Sequence, residues 1–382
     1  MEITDFIKTI DQNNTLPGFT ENRFILPESI INYIKKLGAD FTLENLGKSV
    51  SGKPILKLLW GNGDIKVMLW SQMHGNETTT TRALIRLLHL FDQKPSNYDQ
   101  LKNKLQLLII PVVNPDGAIK YSRYNANMVD LNRDAKNLSQ PESKILMKCF
   151  RDFKPDYCLN LHDQRSIFGV NNDFAGLSFL APAIDDLRSI NENRKKSMQI
   201  IAKTAAFLKS QGLNNNIGRY DDTFNAHCFG DFFQMQKTPT ILVEAGQMQL
   251  DYNRDLSTFH CLKTLFYMLN NIAKQSFHQS EVDSYFHIPT NEKYFLDLRI
   301  ENVLIKDKIY NIHANYDVKC YEKTLFYFPR ITHIDNQNYP THRVINAEEY
   351  SLTDKFSNPI NSLKIDEHLA QIRIKSVDYS LY

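Results

Sequence analysis

Four short stretches carry side chains that could do chemistry together. SQMHGNETTTTRALIRLL places His74 and Glu77 three apart, separated by Gly75 and Asn76, and leads straight into a helical pattern. His162 closes the apolar run YCLNL and precedes Asp163, while Glu244 closes TPTILV and precedes Ala245 and Gly246. NPDG, Asn114 to Gly117, follows a further apolar run and is a strong turn signal. Two histidines and a nearby glutamate suit a catalytic zinc, which takes three protein ligands and keeps a fourth position for water. His74, Glu77 and His162 are the candidate ligands, and Glu244 is the candidate base that takes the proton from water. Taken singly, each has an ordinary reading: HxxE is common, and a histidine ending a strand is usually a satisfied core residue. Their joint placement carries the expectation.

Between the ligand stretches lies RYNANMVDLNRD, Arg123 to Asp134, with Asn132 directly before Arg133. A guanidinium donates in a fixed fork that matches a planar carboxylate, so two arginines beside strand-end turns suit recognition of one. The plain alternative is that both are solvated surface charges.

These residues need a scaffold that brings strand ends together. From Ile55 to Gln275, short apolar runs alternate with longer helical segments: ILKLLW, IKVMLW, LQLLIIPVV, YCLNL and TPTILVEAG. Runs apolar at successive positions are typical of strands buried on both faces, and the alternation predicts an α/β fold with a mixed, largely parallel central sheet flanked by helices. Helices are expected near 77–92, 141–152, 184–211 and 257–275. The last has Phe259, Leu262, Leu265, Phe266 and Leu269 at helical spacing. Open parallel sheets place their sites outside the carboxyl ends of the strands, where the four stretches lie. After Gln275 the composition shifts to alternating stretches such as VLIKDKIYNIHANYDV and QIRIKSV, which predicts two domains: 1–275, and a small, mostly β C-terminal domain over 276–382.

Composition narrows the classes. The chain has 382 residues, 42% of them hydrophobic, and balances 45 Lys and Arg against 43 Asp and Glu, so no strongly basic surface for nucleic acid is expected. No apolar stretch is long enough to span a membrane, and the opening residues lack the pattern of a signal peptide, so a soluble cytoplasmic protein is expected. Cys149, Cys158, Cys228, Cys261 and Cys320 form no CxxC and are expected as reduced, interior thiols. NENRKK, Asn191 to Lys196, reads as a solvated helix face.

Taken in order, HGNE, NPDG, RYN, DLNRD, LNLHD and VEAG resemble the signature blocks of the zinc carboxypeptidase family that includes carboxypeptidase A, and SVSGKPI resembles the family's strand entry. The resemblance covers about residues 45–275. It implies one zinc per chain, held by His74, Glu77 and His162, and a peptide or peptide-like substrate with a free carboxylate. It implies hydrolysis of the C-terminal amide bond by zinc-bound water, with Glu244 as general base and then acid. Arg123 would stabilise the oxyanion, and Asn132 and Arg133 would grip the terminal carboxylate. Tyr220 is the nearest match to a substrate-contacting tyrosine ahead of the base, and the pocket lining is expected around Phe224 to Phe232.

One departure is Asn76, where pancreatic members have an arginine. HGNE is closer to the motif of amidohydrolase relatives. The alternatives are therefore a zinc amidohydrolase deacylating an N-acyl amino acid, like succinylglutamate desuccinylase or aspartoacylase, or a cell-wall peptide amidase. An inactive binding module on the same fold is a further alternative, against which all three ligands, both arginines and the base are present.

Overall fold

The computed structural model describes residues 3–12, 16, 22–93, 95–213, 216–354, 358, 360, 362–369, 372–374 and 377–379. An eight-stranded sheet runs, in spatial order, β1 (Phe41–Lys48), β2 (Pro54–Trp60), β4 (Leu105–Ile110), β3 (Ile65–Ser71), β5 (Tyr157–Asp163), β10 (Thr240–Ala245), β8 (Leu177–Leu180) and β9 (Ile217–Arg219). Its centre, β4, β3, β5 and β10, is parallel; β1, β2 and β8 join it in antiparallel pairs, and β9 pairs parallel with β8. This is the expected mixed α/β architecture.

All five apolar runs are strands, and their alternation divides the interior. Val67, Leu69, Leu107, Ile109, Leu159, Leu161, Ile241 and Val243 point into one core, and Met68, Trp70, Leu108, Ile110 and Cys158 into the other. The first core is covered by α3 (Thr79–Gln93), α7 (Glu192–Ser210) and α9 (Asp255–Lys274), and the second by α6 (Pro141–Phe153) and α8 (Phe229–Met235). Five shorter helices complete the set among the described residues: α1 (Ile3–Gln12), α2 (Pro27–Ile34), α4 (Asp99–Lys102), α5 (Pro115–Lys120) and α10 (Ser280–Phe286).

Two local expectations are corrected. The helix expected over 184–211 begins only at Glu192, because Asn191 caps it by accepting from the Arg194 amide. Before it, Asp185 accepts from the Ser189 amide and Arg188 takes a positive φ, which makes a turn. Nor is NENRKK wholly solvated. Arg194 is fully buried, donating to the carbonyls of Ala181 and Arg188 and paired with Asp222, so its charge is a structural pin rather than a surface charge.

The C-terminal residues form a four-stranded sheet, β14 (Thr324–Asp335), β13 (Lys308–Tyr321), β12 (Leu296–Ile305) and β15 (Thr341–Asn346), and a hairpin of β16 (Ile372–Ile374) and β17 (Val377–Tyr379). They share a separate core that includes Leu298, Ile300, Ile312, Ile331 and Ile372. A third small sheet, β11 (Glu292–Lys293) with β6 (Phe168–Val170) and β7 (Asp173–Phe174), ties this region to the loop that follows β5. Among the described residues no helix is long and apolar enough to cross a membrane.

Candidate metal centre and active site

β3 and β5 are parallel neighbours, with Ser71 opposite Leu161, so the residues that follow them leave the sheet side by side. His74 and His162 therefore meet. Their Nδ1 atoms lie 3.1 Å apart, and the Glu77 carboxylate reaches both, Oε1 to His74 at 2.7 Å and Oε2 to His162 at 2.7 Å. All three residues are buried, and they are the one grouping among the described residues whose donor atoms lie close enough to share a cation. The donor atoms of the three residues converge on one point, with each Nδ1 facing its own Glu77 oxygen. A cation at their common focus satisfies all three, and the donor set of two nitrogens and one carboxylate fits zinc.

The surroundings act differently on the three residues. Burial tends to raise the Glu77 pKa, but the two histidines overcome it and hold the carboxyl well below its usual range, so it is ionised. Burial lowers the His162 pKa and favours the neutral ring. For His74 burial also acts downward, but Glu77 and Asp130 outweigh it and raise the pKa. Asp130 accepts from His74 Nε2 at 3.0 Å, which fixes the ring with Nδ1 turned to Glu77 and His162. The same carboxylate receives Nε and Nη2 of Arg123, at 3.0 and 2.9 Å, and so aims that guanidinium at the cluster, where Nη1 lies 3.5 Å from Glu77 Oε1.

The motif loops interlock for steric reasons. A Cβ on Gly75 would come within 2.0 Å of the Gly117 backbone, so HGNE and NPDG pack backbone on backbone. Asn114 supports both, accepting from the Gly117 amide at 2.8 Å and donating to the Met73 carbonyl at 3.2 Å. Asp116 accepts from Ser49 Oγ and the Ser51 amide, which ties SVSGKPI to the same corner. On the other side, Asp163 accepts from the Thr79 and Thr80 amides at the start of α3, and its own amide donates to Glu77 Oε2 at 3.1 Å.

Glu244 lies on β10 directly opposite His162 in the parallel ladder. Burial, with Glu77 and Asp163 nearby, pushes its pKa well above the usual carboxylate range. At the strand's end, a Cβ on Gly246 would strike the Ala175 carbonyl at 1.8 Å, which accounts for the glycine of VEAG. Tyr220 donates to Gln164 Oε1 at 2.8 Å, and its ring stacks edge-on to Phe168 with centroids 5.3 Å apart. Asn132 accepts from the Phe229 amide at 3.0 Å, fixing the start of α8, and Arg133 donates to the Asn132 carbonyl and to Cys228 Sγ at 3.2 Å.

One cavity of about 550 Å³ brings these groups together: His74, Glu77, Arg123, Asn132, Arg133, Tyr220 and Glu244 all line it. His162 stands behind Glu77, fully buried. The stretch expected to line the pocket does so through polar or small residues, Asn225, Cys228, Gly230 and Asp231, because Phe229 and Phe233 turn into the core under β3 and β5. Cys228 is thus a wall residue rather than an interior thiol, and Cys320 is also partly exposed; Cys149, Cys158 and Cys261 are buried as expected.

Sequence reading missed Asp130, Gln164, Arg23, Arg165 and Lys293, all placed in or against the cavity. Asp130 left a signal, since it precedes Asn132 by two and caps the short turn that carries it, accepting the Asn132 amide at 2.9 Å. Gln164 and Arg165 directly follow the strand end that carries His162, whereas Arg23 and Lys293 arrive from parts of the chain distant in sequence and left no signal.

Comparison with known proteins accords with this geometry. The family model described as zinc carboxypeptidase matches residues 28–226, just over half of the chain, a span holding both histidines, Glu77, both arginines, Asn132 and Tyr220. Carboxypeptidase SOL1 of Arabidopsis thaliana is 30% identical over 156 residues, 36% of this chain and 32% of that protein. Carboxypeptidase 2 of Trichophyton rubrum is 29% identical over 113 residues, 28% of this chain and 21% of that protein. The matched region thus spans a third or less of either relative. Among solved structures, carboxypeptidase A of Helicoverpa armigera superposes with a TM-score of 0.54 at 16% identity, covering 72% of this chain and 82% of its own. A metallo-carboxypeptidase of Burkholderia cenocepacia gives 0.54 at 15%, covering 65% and 70%. Likeness at such identity concerns the fold, whereas the family-model match includes the ligand loops themselves: the chain belongs to the zinc carboxypeptidase family.

Proposed function

We propose that this chain is a zinc-dependent metallocarboxypeptidase that hydrolyses the C-terminal amide bond of a peptide or peptide-like substrate bearing a free carboxylate. The observation that carries the reading is the meeting of His74, His162 and Glu77 at a cavity that is also lined by the half-buried Glu244 and by Arg123 and Arg133. His74, Glu77 and His162 would hold one zinc per chain, which when bound supplies a Lewis acid and an acidified water. Glu244 takes the proton of the attacking water and returns it to the leaving amine, from its place opposite His162 on the cavity wall. Arg123, pinned by Asp130, meets the negative charge that develops on the carbonyl oxygen. Asn132 and Arg133 orient the terminal carboxylate, a charge present throughout, so they act on binding. Tyr220, with its hydroxyl fixed on Gln164, closes the cavity against the substrate.

The division into a catalytic unit and a β-rich C-terminal domain belongs to the same proposal. Val282, Tyr285 and Ile288 are buried in the main core, and the separate core begins with Leu298, which favours a junction between them.

Metal analysis of the purified protein, together with a panel of peptides with free or amidated C-termini and a set of N-acyl amino acids, tests the reading. Zinc content near one per chain and cleavage of free-acid peptides alone are expected. Activity confined to N-acyl amino acids transfers the site to the amidohydrolases, and a protein that binds no zinc rules the mechanism out.

A further inference from the structure

The cavity has a second cationic wall that the proposed reaction does not use. Arg165 and Lys293 both line it, both are exposed, and neither forms an ion pair among the described residues. Lys293 comes from the far end of the chain. β11 pairs antiparallel with β6, Lys293 opposite Phe168, and the lysine Nζ lies 5.6 Å from the Phe168 ring centre. Phe168 in turn packs against Tyr220, and both rings line the same cavity as the lysine.

This wall is built. Gln164, almost fully buried, accepts on one oxygen from Tyr220 at 2.8 Å and from Asn291 at 2.7 Å, while its amide donates to the Ala175 carbonyl at 2.7 Å. The Phe295 amide donates to the Ile167 carbonyl at 3.1 Å, and His342 bonds the Ser166 carbonyl at 3.0 Å. Residues 164–168 are therefore tied to the C-terminal region, which fixes the backbone that carries Arg165 beside the strand that carries Lys293.

The cavity's own carboxylates are otherwise engaged. Glu77 faces the histidines, Asp163 the amides of α3, and Asp231 the Asn225 amide, while Glu244 is the proposed base. Arg133 is carried by a different segment, against Cys228 at the start of α8. A terminal carboxylate held there leaves Arg165 and Lys293 with no anion unless the substrate supplies a second one. We propose that Arg165 and Lys293 bind an acidic side chain upstream of the scissile bond, so that the preferred substrates are peptides with Asp or Glu on the N-terminal side of the cleaved residue. The C-terminal region thereby supplies part of the selectivity. This rests on the carboxypeptidase reading above.

The test uses the full chain loaded with zinc and peptides that differ only in the residue before the last: Glu, Gln or Lys. The expected order of kcat/KM is Glu, then Gln, then Lys, with a Glu-to-Lys ratio of about tenfold at low ionic strength, as two partly exposed ion pairs give. The ratio shrinks in 0.5 M salt, where screening is short-ranged. Lys293→Glu with Arg165→Glu inverts the order. Lys293→Gln with Arg165→Gln, a milder change should the reversal fail to fold, removes the preference. The same peptides are titrated onto a full-length Glu244→Gln variant by fluorescence anisotropy, which reads binding without turnover. Equal binding of the Glu and Lys peptides, or a preference untouched by the variants, overturns the proposal and leaves the carboxypeptidase reading standing. No cleavage of any peptide overturns that reading instead, while the binding series still decides the wall.

Discussion

The Asp130 carboxylate stands between His74 and Arg123, accepting from the imidazole Nε2 at 3.0 Å on one oxygen and from the guanidinium on the other. One side chain thus orients the candidate metal ligand and the proposed oxyanion donor together. Asp130→Ala leaves the His74 ring free to turn and the Arg123 charge unpinned, so zinc affinity falls by about 10–100-fold. Competition with a chromogenic chelator measures it, and an unchanged affinity removes Asp130 from the site.

Glu244→Gln keeps the side chain's size but cannot accept a proton. Turnover falls by roughly 10²–10⁴-fold while zinc content stays the same, since Glu244 lies outside the ligand cluster. Steady-state rates alongside metal analysis separate the two effects; a variant that loses zinc as well as activity shows a structural role instead.

Arg123 and Arg133 part company in kinetics. Removing a donor aimed at charge that exists only in the transition state costs about 10²–10³-fold in kcat, the expectation for Arg123→Ala. Arg133→Ala removes a grip on a charge present in the ground state too, so KM rises first and kcat moves less. The opposite pattern would mean the roles are exchanged.

Asp231 gives a pH signature. Burial pushes its carboxyl from 3.8 up to about 6, so the folded state holds this proton more tightly than the unfolded chain does. The stabilisation is complete below 3.8 and is lost as pH rises through about 6. Asp231→Asn, neutral throughout, therefore gains stability relative to the parent by about 2 kcal/mol between pH 4 and pH 8. Urea unfolding at both pH values checks this, and a parallel pair of curves contradicts it.

Much of the scaffold was legible because it is repetitive. ILKLLW, IKVMLW and the runs after them are apolar on both faces, which only a two-sided core tolerates, and the helix bearing Leu262, Leu265 and Leu269 has an apolar stripe at the right period. The outer strands were not legible: β1 carries no buried residue and its burial loses alternation after Glu44, and β8 and β9 are too short to set a period. At the site, residues at strand ends could be found because topology gathers strand ends. Lys293 and Asn291 could not, since β11 is two exposed residues long and its pairing with β6 is a long-range fact. Asp130 lay between: its cap was local, its bond to His74 was not.

The parallel pairing of β3, β5 and β10 has a consequence for how such a protein diversifies. His162 and Glu244 stand directly opposite each other on neighbouring strands, so their separation follows the roughly 4.8 Å strand spacing. Loop replacement cannot retune that distance. The bordering segments, around Asn225 to Asp231 and Asn291 to Lys293, lie outside these two strands and can vary without changing it. Reactivity is thus inherited with the sheet, whereas taste for a substrate is free to drift.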